Sequence, residues 1–452
     1  MKNKATVCFP IETTVRELDG KLLVAAHLLN NNTRVFIGDR KGIKNEILHL
    51  QNAIYFTKSL DPSLDNFYNS VRENNNKIVN MNVEGGVLYK DVENHFISSY
   101  PETMLQKIDK LFLFGEKIKL YFIQYLGNEF KDKLIVSGEP RFDLLNKKYF
   151  KYFENDTNKI KKEFGDYILI NTSFSIANPF VGEEKLFSFL EENNAYNEEA
   201  VANFAIKRDF YKKILHQYVI MIKKLAKEYA NTNFVIRPHP SESLAIYLEE
   251  FKEIKNIHVV NKGNVHYWIS AAKAVIHYDC TTGIESVLSE TPTLAFVPDK
   301  KNEVFAWLPA YLSDECKEDH EIVERIGKIL KGGYHFKLSK DKEEVLESYI
   351  CNTSLNSSKI VSEQLQEMLK DLGTAKNINI LDRNFRRIEY RLKGFYNRNI
   401  VKSKSITRKK VGVLRSKEVG DKLKILMQIE NFEKKFSIHK VGDNVLEIVP
   451  KN

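Results

Sequence analysis

The sequence predicts an α/β protein with two doubly wound domains in tandem, at 1–150 and 151–370, followed by a basic extension at 371–452. Short apolar runs alternate with longer amphipathic segments, and this series starts afresh near residue 167. The apolar runs are nearly continuous, the pattern of parallel strands covered on both faces. Past Asp371 the alternation gives way to segments dense in Lys and Arg.

The first series opens with the strand Thr6-Val7-Cys8-Phe9. Glu17 to Leu29 then carries Leu18, Leu22, Ala25, Ala26 and Leu29 at helical spacing. Further strands are expected at Arg34–Gly38, Ala53–Phe56, Lys77–Asn80, Leu111–Phe114 and Leu134–Ser137, with helical patterns between most of them. A turn-rich passage, Gly138-Glu139-Pro140-Arg141-Phe142-Asp143, closes the first domain, and the charged run Lys147 to Lys162 reads as connecting helices.

The second series has strands at Tyr167–Ile170, Asn233–Ile236, Ile257–Val260, Ala274–His277 and Thr293–Phe296. Its long helix, Phe210 to Tyr229, places Leu215, Tyr218, Ile222, Leu225 and Tyr229 along one stripe. The extension holds basic helices and then a hairpin at Ser437-Ile438-His439 and Val445–Val449. Open α/β sheets bind ligands at the carboxyl ends of their strands, so two such domains facing each other would border one cleft.

A chain of 452 residues, 43% hydrophobic and 29% charged, fits a soluble globular protein of two to three domains. Cys8, Cys280, Cys316 and Cys351 lie far apart with no CxxC pair, which argues against a zinc site or disulfide framework and fits a reducing cytoplasm. The first fifteen residues hold no apolar run of the signal-peptide kind. No stretch approaches the ~20 apolar residues of a spanning helix. The expectation is a cytoplasmic protein, peripheral at most on the inner face of the plasma membrane.

Charge is uneven. Between Arg383 and Lys424 stand fifteen Lys/Arg against three acids, a local +12; the whole chain carries +9, so the remainder stands at −3. Phe385, Tyr390, Phe395 and Tyr396 interleave with that charge. The segment is either a solvated helical face or a contact for an anionic surface, with an anionic membrane the expected partner and nucleic acid not expected.

Two junctions carry chemistry. In Arg237-Pro238-His239-Pro240-Ser241-Glu242-Ser243, the prolines fix the backbone on both sides of His239 and remove two amide donors. His239 so presented can donate a charge-assisted hydrogen bond to a phosphate, with Ser241 and Ser243 capping the next helix and bringing its positive end there; the plain alternative is an exposed surface turn. In Cys280-Thr281-Thr282-Gly283-Ile284-Glu285, small hydroxylated residues and Gly283 let amides approach an anion at a helix start. Glu285, one turn in, can accept hydrogen bonds from ribose hydroxyls or simply serve the helix N-terminus.

Between them, Gly263, Asn264 and Val265 sit where the backbone can read a nucleobase edge, while Tyr267 and Trp268 read as core. In the first domain, Asn82-Val83-Glu84-Gly85-Gly86 ends a strand, and Glu84 is a candidate general base or a turn carboxylate. Glu12, Arg16 and Glu17, after the first strand, either bind an acceptor or cap and charge the first helix.

These residues resemble the nucleotide site of GT-B glycosyltransferases of bacterial surface polysaccharides, and more closely the surface carbohydrate biosynthesis family. The likeness rests on Glu12 with Arg16-Glu17-Leu18-Asp19, on Gly138 to Asp143, on Asn171-Thr172-Ser173-Phe174, on Arg237 to Pro240, and on His277 to Thr282 followed by Gly283-Ile284-Glu285. It covers roughly residues 5 to 370 and not the basic extension. Relatives with the His-Pro motif include sialyltransferases and Kdo transferases, in which that histidine contacts the CMP phosphate; here it corresponds to His239. Their general base belongs to an acidic pair before glycine, represented here by Val83-Glu84-Gly85 with one acid absent. CDP-glycerol polymerases share a related Arg-Pro-His-Pro loop.

The resemblance implies a GT-B fold with two Rossmann-like domains, and transfer of a nonulosonic acid (sialic, pseudaminic, legionaminic or Kdo-type) from a CMP-sugar to a glycan, lipid-linked or protein acceptor. The donor would contact Asn171, Thr172, Ser173, Arg237, His239, Ser241, Ser243, Gly263, Asn264, Val265, Thr281, Thr282, Gly283 and Glu285, with Glu84 and His239 catalytic and Glu12, Arg16 and Glu17 on the acceptor side. No cofactor is expected beyond the donor, and no metal, since the second domain has no Asp-x-Asp motif. The alternatives are a CDP-glycerol-type polyol phosphotransferase, a UDP-sugar transferase, and a non-enzymatic nucleotide-binding scaffold of glycan assembly.

Overall fold

The computed structural model describes residues 4–82, 99–185, 198–301, 305–354, 356–399 and 412–451. Val83, Glu84, Gly85 and Gly86 lie outside the described residues. The chain divides into two compact units, one of residues 1–85, 92–152 and 344–452, the other of 86–91 and 153–343.

The first unit is built on seven consecutive strands: β1 (Thr6–Ile11), β2 (Arg34–Asp39), β3 (Leu50–Gln51), β4 (Ile54–Thr57), β5 (Lys77–Met81), β6 (Lys110–Leu113) and β7 (Leu134–Val136). β2, β1, β4, β5, β6 and β7 lie side by side and parallel in that order. Every residue of β1 is buried, as its unbroken apolar run requires. The chain leaves β1 toward β2 on one side and reaches β4 on the other, so the topological switch point lies between β1 and β4.

The basic extension is part of this unit. The antiparallel hairpin β15 (Phe436–Lys440) and β16 (Val445–Pro450) continues the sheet, β16 pairing antiparallel with β2. The two-residue β14 (Lys376–Asn377) pairs with β3. Helix Thr14–Asn30 buries twelve of its seventeen residues, including Gly20 and Asp19. Such all-round burial needs cover on several sides. Helices Ser357–Leu372 and Ser416–Ile429 pack on it and supply that cover.

The second unit holds β8 (Tyr167–Asn171), β9 (Asn233–Arg237), β10 (Ile257–Val259), β11 (Ala274–His277), β12 (Thr293–Phe296) and β13 (Asp314–Cys316). All are parallel, in the order β10-β9-β8-β11-β12-β13. This is the doubly wound order of a Rossmann-like sheet, with its switch point between β8 and β11. Successive residues of β8 serve opposite faces: Ile168 and Ile170 join the core under helix Glu198–Glu228, and Tyr167 and Leu169 join the core with Trp268 and Phe164. Both units are therefore Rossmann-like, and among the described residues no helix is long and apolar enough to cross a membrane.

Candidate functional site

The second sheet sends three loops from its carboxyl edge around the switch point. They follow β8 (Asn171–Phe174), β9 (Arg237–Ser243) and β11 (Tyr278–Gly283). Since β9 and β11 flank β8, the middle loop touches both of the others.

Glu242 ties the first two together. Its carboxylate accepts from the Thr172 hydroxyl at 2.9 and 3.0 Å, the Phe174 amide at 3.0 Å, the His239 amide at 3.0 Å and the Tyr247 hydroxyl at 2.5 Å. Burial pushes this carboxyl above its ordinary range, and those four donors pull it back toward the ionised form. Asp279 ties the other pair. It accepts from the Ser173 hydroxyl at 2.6 Å and from Tyr211 at 2.9 Å. Burial pushes its pKa up to about 6 despite both donors. Sequence reasoning assigned neither carboxylate. The available signal was an acid within each turn, where carboxylates accept backbone and hydroxyl donors.

His239 is half-buried, and its Nδ1 accepts a hydrogen bond from the Ser241 amide at 3.2 Å. In the neutral ring the proton then sits on Nε2. Ser241 thus orients the imidazole through its backbone and does not cap a helix. The helix that follows, Ala245–Glu250, begins at Leu244 with no side-chain cap, while the Ser243 hydroxyl accepts from the Ala245 amide at 3.3 Å. The hydroxyls of Thr172 and Ser173 are spent on Glu242 and Asp279, and Asn171 is buried with no hydrogen-bond partner for its Nδ2 among the described residues.

The Thr281 loop differs from expectation in detail. The Gly283, Ile284 and Glu285 amides donate to the carbonyls of Cys280 and Thr281, so an anion there would fall to other amides and to the two hydroxyls. The Thr281 side chain makes no capping bond to helix Thr282–Leu288. Gly283 is needed for packing: a Cβ would stand 2.4 Å from His277 Nε2. His277 is fully buried with Nε2 2.8 Å from the Ser313 hydroxyl, and burial drives its pKa down to about 3. Glu285 is 1% exposed and lies 3.5 Å from His266 Nε2, an internal position in place of the expected contact with ribose.

Arg237 also turns inward. Its guanidinium donates to the carbonyls of Lys262 and Gly263 at 3.1 and 3.0 Å and lies 5.3 Å from the Trp268 ring centroid. It clamps the loop in which Gly263 takes φ +73° and Asn264 caps helix Val265–Ala271 through a 3.0 Å bond from the His266 amide. Val265 packs on the core, and Trp268, 1% exposed, belongs to it.

In the first unit a small cavity, open to solvent, lies at the switch point. Phe9, Phe56 and Met81 line it from β1, β4 and β5, and Arg16, Glu17, Gly20 and Lys21 from the helix after β1. The expected acceptor-side residues divide here. Glu17 is held by Lys21 at 2.8 Å, Lys58 at 3.1 Å and the Thr13 amide at 2.9 Å. Burial raises its pKa, but the two lysines lower it further, to about 2. Glu12 pairs with Arg40 at 3.4 Å and Lys58 at 3.1 Å. Arg16 lines the cavity itself.

Glu139, which also lines the cavity, was read from sequence only as part of a turn. It is 5% exposed, burial raises its pKa, and its Oε2 has no hydrogen-bond partner among the described residues. Gly20 permits this arrangement, because a Cβ there would stand 2.8 Å from the Arg141 amide nitrogen.

No protein-family model and no curated protein sequence matches the chain. Solved structures do. A variant of the wall teichoic acid polymerase TagF is similar with a TM-score of 0.52 at 11% identity, over 82% of this chain and 90% of that one. The parent TagF structure gives 0.51 at 10% identity over the same shares. The UDP-GlcNAc 2-epimerase from Neisseria meningitidis, solved with UDP-GlcNAc, gives 0.47 at 11% identity, over 81% of this chain and 99% of that one. Together with the two Rossmann-like units, the TagF likeness makes the fold GT-B-like.

Proposed function

We propose that the chain is a glycosyl-transfer enzyme that draws on a nucleotide-activated donor, held by the second unit. The observation that carries this reading is the set of three loops joined through Glu242 and Asp279 around His239, at the switch point of a doubly wound sheet. In the finer reading, an acceptor hydroxyl oxygen attacks the anomeric carbon of a CMP-nonulosonic acid. The bond from that carbon to the phosphate oxygen breaks, and CMP leaves with the electron pair. His239 Nε2–H, fixed by Ser241, and the hydroxyls of Thr281 and Thr282 stabilise the charge that collects on the phosphate. The hydroxyl proton passes to a carboxylate base, for which Glu84 is the assignment by resemblance. The donor sugar carries its own carboxylate, so this chemistry needs no divalent cation.

A second reading is transfer of a polyol phosphate from a CDP-activated donor, favoured by the fold likeness to a teichoic acid polymerase and by the Arg237-Pro238-His239-Pro240 loop. In either reading the basic extension serves peripheral contact with an anionic membrane face. Thermal unfolding with and without CMP is the test. At ligand a hundred times Kd, CMP should stabilise the protein by about 2.7 kcal/mol. His239→Ala should lower turnover by about 10²-fold or more with the unfolding transition retained. No stabilisation by CMP, CDP or UDP would overturn the reading that the second unit holds a nucleotide-activated donor. Incubation with CMP-sugars against CDP-glycerol separates the two enzyme readings.

A further inference from the structure

Helix Ile380–Asn399 is amphipathic, yet it docks by its polar side. Arg383 and Arg387 both bind the buried Glu46, at 2.8 and 2.7 Å, and Tyr390 donates to Asp39 at 2.7 Å. Those three positions form one stripe. At about 100° per residue, Leu381, Phe385, Ile388, Leu392 and Tyr396 fall on the opposite stripe, centred about 180° from Arg383. They are 87%, 64%, 56%, 63% and 53% exposed. A surface helix ordinarily turns such a face to the core, and a contiguous exposed apolar patch marks a contact site.

We infer that this stripe inserts into the interface of an anionic lipid bilayer. The charge around it selects that occupant. Arg386 and Lys393 flank the stripe with side chains 52% and 62% exposed, but both pair with Glu389 and Arg386 also with Asp382, so this flank is balanced and the positive excess lies in the sequence that follows. The sequence then runs from 400 to 411 with Lys402, Lys404, Arg408, Lys409 and Lys410 and no acid. Apolar residues bordered by cations suit acyl chains beneath anionic headgroups. A second copy of the same helix would bring like charge against like. The inference rests on the peripheral-contact part of the proposed function and specifies it: insertion of an apolar face, with charge as the guide.

The test is co-sedimentation of the full chain with vesicles of phosphatidylcholine alone and with about 30% phosphatidylglycerol. The comparison protein carries Leu381→Ser, Phe385→Ser and Leu392→Ser. These side chains are exposed, so its thermal transition should match the parent. Expected is binding to the anionic vesicles that falls about tenfold or more in the triple variant. Undiminished binding by the variant would overturn the inference. So would no binding by the parent. A parent dimer in sedimentation velocity that the variant loses, without vesicle binding, would overturn it in favour of self-association. The CMP-dependent thermal shift, read on both proteins, reports on the nucleotide reading separately; its absence would leave the vesicle result standing.

Discussion

Glu17 sits under two opposed influences. Burial alone would favour its neutral form, yet Lys21 and Lys58 hold it ionised, with a pKa of about 2. The folded value lies below the unfolded one of 4.5. Its contribution to stability is therefore complete above pH 4.5 and is lost as pH falls through about 2. The size is at most about 3.5 kcal/mol, since each pKa unit is worth ~1.4 kcal/mol. Glu17→Gln should thus unfold at a lower temperature than the parent at pH 6, with the gap closing toward pH 2. A gap independent of pH would refute the ion-pair account. The sequence showed an acid at the start of a helix; it could not show Lys58, about forty residues on, closing over it. Glu242 and Asp279 are illegible for a related reason, since Thr172 and Phe174 reach the first, and Ser173 and Tyr211 the second, from distant parts of the chain. His239 was legible because its flanking prolines act locally.

Elements were legible where one physical signal dominated. β1, β8 and β11 announced themselves as apolar runs, and the hairpin β15–β16 was read at Ser437–His439 and Val445–Val449. β3 and β14 have two residues each and pair only with one another, so no local pattern marks them. The Thr281 loop was legible as a tight junction but not as the junction it is. Sequence reasoning gave Gly283 the task of admitting an anion, whereas the space above it is filled by the His277 imidazole. Gly283→Ala should therefore cost about 1–3 kcal/mol through overpacking. His277→Ala removes the obstacle and leaves the Ser313 hydroxyl satisfied by its 2.8 Å bond to the Pro309 carbonyl. The double variant should be less destabilised than the two single costs summed, as neighbours sharing a contact are. Urea midpoints of the four proteins measure this coupling, and strict additivity would disprove the contact as the cause.

Over the whole molecule, composition separated the basic extension from the body, but composition does not report where a chain packs. The hairpin completes the first sheet, and β16 hydrogen-bonds β2 along its length. Glu447 on β16 meets Arg34 on β2 at 3.3 Å, with both side chains 7% exposed. Removing residues 436–451 would bare the edge of β2, a row of unpaired backbone groups open to another chain. It would also leave Arg34 without its carboxylate partner, and breaking a buried pair on one side costs about 3–5 kcal/mol. The truncated protein should accordingly show a markedly lower first thermal transition or aggregate, before any question of membrane contact arises. Substituting Glu447→Gln in the full chain isolates the charge from the strand: it should cost about the same 3–5 kcal/mol while β2 stays covered, and the truncation should cost more. A truncated protein that stays monomeric with the parent's transition would show that the hairpin is an appendage, and the first unit would then have to be stable with β2 as its edge.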